Sequence, residues 1–155
     1  MKFEDIKAVL ERVEIVNAPK ASTHNMIVDT DGTTCLVEPG RKNIFTGVDD
    51  SDWYVVTNFP LADYEEPVPT VVSGSGSDRY LQVLDIMSVL QGPMNADRGF
   101  EILKSVEQYG PEWTTELSML YDAKKRQLFY CLDQDFENIL EYDFSSQDIV
   151  QRIHS

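Results

Sequence analysis

Positive charge is scarce in this chain: 13 Lys and Arg stand against 27 Asp and Glu, a formal net charge of −14. A field of that sign repels phosphate backbones and anionic lipid, so neither nucleic acid nor a membrane surface is expected as a partner. Cysteine is sparser still, with two in the chain. Cys35 and Cys131 both sit inside apolar, strand-like runs. Two buried free thiols in a reducing compartment are therefore expected, not a disulfide framework. His24 and His154 lack a second His or Cys at ligand spacing, which argues against zinc. No metal or other cofactor is expected. No apolar run reaches the length of a membrane span, and the charged, amphipathic N-terminus is unlike a signal peptide, so a cytoplasmic location is expected. There is no internal repeat, and the one low-complexity stretch is Ser73-Gly-Ser-Gly-Ser77.

What is present suffices for one domain with a real core. The chain has 155 residues, 42% of them hydrophobic, enough to fold without disulfide or metal staples. Apolar Phe3, Ile6, Val9, Leu10 and Val13 recur at helical spacing, predicting a helix within residues 1–16. Two short strands, 25–28 and 34–38, flank an Asp-Gly turn and predict a hairpin, with a weaker strand over 43–48. Residues 53–57 read as a buried strand, and a proline- and Gly/Ser-rich loop follows over 60–76. Helices are predicted over 78–90 and 96–108, the first burying Leu81, Leu84 and Met87, the second capped by Asn95. Strands over 116–121, 127–132 and 138–144 form a meander, and Ser145 or Ser146 would cap a last helix within 145–155. The class is α+β, with antiparallel strands in two groups and a helical pair between them in sequence.

Candidate chemistry centres on Asn58, a neutral amide placed where the apolar run 53–56 ends and Phe59-Pro60 turns the chain. Such an amide is suited to holding a backbone or stabilising an oxyanion. A calcium loop using Asp29, Asp31, Gly32 and Glu38 fails, because its first ligand would be Ile27 and Pro39-Gly40 follows where a helix should start. The Ser/Gly stretch lacks the Lys-Ser/Thr ending of a phosphate loop. His24 facing Cys35 across the hairpin would make a Cys–His pair, although a packed structural thiol is the simpler expectation. Arg79 opens a helix, where the dipole slightly disfavours a cation. That local conflict singles it out from an ordinary surface arginine.

Several segments, in order, resemble one family. Asn25-Met-Ile-Val-Asp-Thr-Asp-Gly with Cys35-Leu-Val-Glu38 is similar to the hairpin of the linear-amide C–N hydrolases. That group comprises choloylglycine hydrolase, penicillin V acylase and penicillin acyltransferase, enzymes with an N-terminal nucleophile. Val55-Val-Thr-Asn58 resembles the family's strand end, and Ser77-Asp-Arg79 its Ser-x-x-Arg helix start, offset by one residue. Leu120-Tyr-Asp122, Phe129-Tyr-Cys131 and Tyr142-Asp143 resemble its closing meander, so the likeness covers roughly residues 25–144.

The resemblance implies the C-terminal part of an αββα sandwich of antiparallel sheets, with a helical pair on one side. It implies Asn58 in oxyanion stabilisation and Arg79 in active-site electrostatics. In the family, an N-terminal cysteine is the nucleophile and its own α-amino group the base. This chain starts Met1-Lys-Phe3, and that cysteine, its neighbouring Arg and Asp and an earlier Asn have no counterparts. Cys35 and Cys131 match structural strand positions. The resemblance thus implies a C-terminal half, inactive alone, or a non-catalytic binding or oligomerisation domain that keeps the scaffold. Half a sandwich leaves apolar surface to cover, so a homodimer or a missing N-terminal chain is expected.

Overall fold

The computed structural model describes residues 3–13, 24–29, 33–38, 40–41, 44–46, 53–66 and 68–152. The chain divides into two compact units, Met1–Leu84 and Asp85–Ser155. Both are α+β with antiparallel sheets.

The first unit holds helix α1 (Phe3–Leu10) and a sheet in the order β1 (Asn25–Val28), β2 (Thr34–Val37), β3 (Ile44–Thr46). The helix expected within residues 1–16 is helical to Leu10 and turns over 11–13; 14–23 lie outside the described residues. The hairpin register pairs Asn25 with Val37 and Ile27 with Cys35. Every residue of β2 is buried. Its alternation explains why: Cys35 and Val37 pack with Leu10 and Ile27, whereas Leu36 packs with Phe59, Leu61 and Tyr80. A central strand clothed on both faces shows no polar alternation, consistent with its apolar sequence.

Residues 53–57 correct the sequence reading. They take no place in either sheet, although Val55 and Val56 pack against the Leu36 cluster. An apolar run reports burial but not whether a neighbouring strand completes its ladder. The loop that follows contains a short 3-10 helix, Leu61–Asp63, before α2 (Ser77–Val89). The fully buried anchor of α2 is Tyr80, with Leu81 and Leu84 beside it. Burial, with the Tyr64 hydroxyl nearby, pushes the Tyr80 phenol up to about 12.

The second unit packs α3 (Ala96–Ser105) on a four-stranded meander: β4 (Leu117–Asp122), β5 (Gln127–Leu132), β6 (Leu140–Asp143) and β7 (Asp148–Gln151). Asn95 caps α3 as expected, its side chain accepting from the Arg98 N–H at 2.9 Å. Gly99 lets the helix lie directly on β4, since a Cβ there would stand 2.6 Å from Leu120 Cδ1. Phe100, Leu103, Leu120, Phe129, Cys131 and Ile139 form this core.

The expected C-terminal helix is instead strand β7. Asp143 Oδ1 accepts from the N–H groups of Ser145 (2.6 Å) and Ser146 (3.1 Å), and Gln147 takes φ 63°. The two serines therefore build a hairpin turn rather than a helix cap, because the carboxylate before them satisfies both amides.

Register also sorts the meander's two faces. Tyr121, Leu128, Tyr142 and Ile149 lie in one row across the four strands. Met119, Tyr130, Leu140 and Gln151 make the next row, and Leu117 pairs with Leu132. The opposite face, the one α3 covers, carries Leu120, Phe129 and Cys131, and also the strands' charged residues Asp122, Glu141, Asp143 and Asp148.

Candidate functional site

The residues singled out in the sequence, Asn58 and Arg79, meet in the first unit. Arg79 Nη2 donates to Asn58 Oδ1 at 2.5 Å. A guanidinium can only donate, so it fixes which way the amide faces: Oδ1 toward Arg79, with the two N–H donors of Nδ2 turned away. Asn58 is exposed and Arg79 half-buried. Among the described residues, Arg79 has no carboxylate partner.

Gly76 makes the meeting possible. It is buried at φ +80°, where an added Cβ would stand 2.9 Å from Asn58 Oδ1 and 3.0 Å from Arg79 Nη2. Only glycine tolerates both that backbone angle and that approach. Its carbonyl accepts from the Tyr80 N–H at 3.0 Å, so the same residue starts α2 and seats Asn58.

Phe59 locks the other side of Asn58. Its ring stands edge-on to Tyr80 (5.1 Å between centroids) and to Tyr64 (5.7 Å). Two such contacts hold the turn beyond what burial alone supplies.

Glu38, which the sequence offered only as a calcium ligand and as the end of the hairpin motif, anchors the turn that carries Asn58. Its side chain, 2% exposed, lies on the same β2 face as Leu36. Oε1 accepts from the Leu61 N–H at 2.9 Å, and Oε2 from the Ala62 N–H at 2.8 Å. His24 Nδ1 donates to Oε1 at 2.8 Å. The carboxylate thus satisfies amides at the start of the 3-10 helix, just after Asn58-Phe59-Pro60. Charged acceptors make such bonds worth roughly 1.5–3 kcal/mol each. Arg41 adds an exposed clamp, donating through Nε and Nη2 to Asp63 at 2.9 and 3.2 Å, which lowers the Asp63 carboxyl below its ordinary value.

These contacts settle several sequence candidates. His24 faces Glu38, one step beyond the Asn25–Val37 pair, and not Cys35, whose register partner is Ile27. Cys35 and Cys131 are buried free thiols, and burial raises both above the usual thiol range. Glu38 is turned onto backbone amides, and no metal-holding group of three His, Cys, Asp or Glu occurs among the described residues. Asp31, Gly32 and His154 lie outside the described residues. No described helix is long and apolar enough to cross a membrane. A surface cleft of about 550 Å³ lies beside His24, Asn25 and Met26; neither Asn58 nor Arg79 lines it.

No protein-family model, no curated protein and no solved structure matches the chain.

Proposed function

We propose that this chain carries the oxyanion-binding side of a linear-amide C–N hydrolase or acyltransferase, as part of an αββα sandwich. The observation that supports the reading is the Asn58–Arg79 pair, in which an arginine without a carboxylate partner among the described residues aims an exposed amide. In the reaction, a thiolate attacks the amide carbonyl carbon to form a carbon–sulfur bond, and the resulting oxyanion accepts from Asn58 Nδ2. Its collapse breaks the carbon–nitrogen bond as the amine leaves with the proton that the nucleophile's α-amino group took from the thiol, and water or an acceptor amine then releases the acyl group from the thioester. Arg79 holds the amide and adds positive charge where negative charge develops. Such a donor contributes about 10²–10³-fold to the rate. The nucleophile comes from a segment that this sequence does not contain.

The chain is inactive by itself on this reading. Penicillin V, a conjugated bile salt and an acyl-homoserine lactone are the substrates to assay. No turnover is expected from the chain alone. Turnover is expected once it is co-folded with a Cys-first segment, and Asn58→Ala should abolish it. Turnover by the isolated chain, or a reconstituted enzyme indifferent to Asn58→Ala, would overturn the assignment.

A second reading, a non-catalytic oligomerisation domain on the same scaffold, is favoured by the open apolar face of the meander. A cytoplasmic protein without metal or cofactor, acting as a homodimer or with a missing N-terminal chain, is consistent with both readings.

A further inference from the structure

The connection from α3 to β4 is closed on itself. The Thr115 N–H donates to the Gln108 carbonyl at 2.9 Å, and the Gln108 N–H to Thr115 Oγ1 at 2.8 Å. Across the loop, Thr114 Oγ1 donates to the Gly110 carbonyl at 3.0 Å. The β5–β6 turn ties it from outside: Gln134 Nε2 donates to the Gln108 carbonyl at 2.7 Å, and the Asp133 N–H to the Glu116 carbonyl at 2.9 Å. So pinned, the loop holds two large aromatic side chains out in solvent, Tyr109 at 89% exposure and Trp113 at 74%. Tyrosine and tryptophan are the residues that interfaces enrich and that carry most of their binding energy.

The charge around these rings has one sign. No Lys or Arg occurs from 105 to 123, whereas Glu107, Glu112 and Glu116 do, and the tied turn adds Asp133. All four carboxylates are exposed, and none is ion-paired among the described residues. Lys104, the nearest cation in sequence, stands instead over the Phe136 ring, 5.7 Å from its centroid.

We propose that this loop is a docking surface for a basic, arginine-bearing segment of a partner protein, whose guanidinium groups stack on Tyr109 and Trp113 and donate to the carboxylates beside them. Arginine meets both demands at once: its planar, weakly hydrated cation lies on an aromatic face and forks onto a carboxylate. Charge decides against an occupant from the chain itself. A second copy brings a net charge of −14, and Met1–Leu84 carries 7 Lys and Arg against 14 Asp and Glu. Either adds to the negative field of the loop, whereas a basic segment answers it. The loop's own hydrogen bonds have already ordered it, so docking costs it little further entropy. The inference goes beyond the hydrolase reading and does not rest on it.

An NMR titration of the intact, isotope-labelled chain with nona-arginine tests it. The Trp113 indole N–H and the amides of 107–116 should shift together, and the affinity read from those amides should fall as salt is added. Tyr109→Ala combined with Trp113→Ala should weaken that affinity about tenfold. Both side chains are exposed, so circular dichroism should show an unchanged fold. Glu65→Gln with Glu66→Gln removes two exposed carboxylates from the first unit and should change the affinity at the loop by less than about twofold. Nona-lysine, of equal charge but without the planar cation, should bind about threefold more weakly or worse. Shifts absent from the loop or spread evenly over the acidic surface overturn the proposal, as does an affinity indifferent to the loss of both rings or equal for nona-lysine. Shifts at the loop with cellohexaose and none with nona-arginine also overturn it, and assign the two rings to a glycan.

Discussion

The two units solve the same packing problem in opposite ways. In the first, β2 is buried on both faces and a buried carboxylate, Glu38, holds the adjoining turn through backbone amides. In the second, the sheet is covered on one face by α3 and left apolar on the other. The first unit depends on a few directional polar contacts that position Asn58. The second depends on non-directional burial, which makes it tolerant of shape but leaves a surface to be covered. A buried polar anchor is costly to remove, whereas an apolar face loses stability in proportion to the area disturbed.

The sharpest way to break this contrast is Glu38→Ala. It strips the acceptor from two amides and from His24, and should cost about 3–5 kcal/mol in urea unfolding. Hydrogen exchange should accelerate first at Leu61 and Ala62, and a uniform loss across both units would contradict the anchoring role. Gly99→Ala tests the second unit. With Leu120 Cδ1 2.6 Å from the new Cβ, overpacking should cost about 1–3 kcal/mol, without altering side-chain signals of Asn58.

A smaller loss, about 1 kcal/mol, is expected from Asn95→Ala, which removes the cap of α3. Smallest is the acid response of the meander turns. Hydrogen bonds from the Ser145 and Ser146 amides hold the Asp143 carboxyl below its usual value, and those from Lys125 and Lys124 do the same for Asp122. A depressed folded-state value means a contribution present above the ordinary carboxyl range, about 3.9, and lost as pH falls through the lower folded value. Protection factors of the amides in the 122–127 and 143–148 turns, taken against the intrinsic rate at each pH, should therefore fall on acidification below about pH 4. Unchanged protection there would show that the carboxylates do not hold the turns.

The meander was largely legible because its signals are local. Alternation over 117–122 and 127–132, with a turn between, needs no distant partner to be recognised. Ser145 and Ser146 misled for the same reason: a serine suits a helix cap or a turn with equal ease, and the Asp143 carboxylate, accepting from both amides, decides. Residues 53–57 misled because hydrophobicity marks burial and not pairing. Asn58 and Arg79 could be named as chemistry-bearing residues, but their meeting depends on Gly76, whose φ and close approach show only in three dimensions.

The sequence by itself determined the α+β class, the hairpin of β1 and β2, the cap of α3 and the apolar character of both thiols. Each follows from the spacing or type of neighbouring residues. Only the tertiary structure decided that Glu38 seats the turn after Asn58, because its partners stand 23 and 24 residues away. It alone decided that the charged positions of the meander's strands all share the face that bears α3, since that requires the register of four strands at once. Local propensity acts over a few residues; a buried carboxylate and a sheet face are made by what the chain brings back to them.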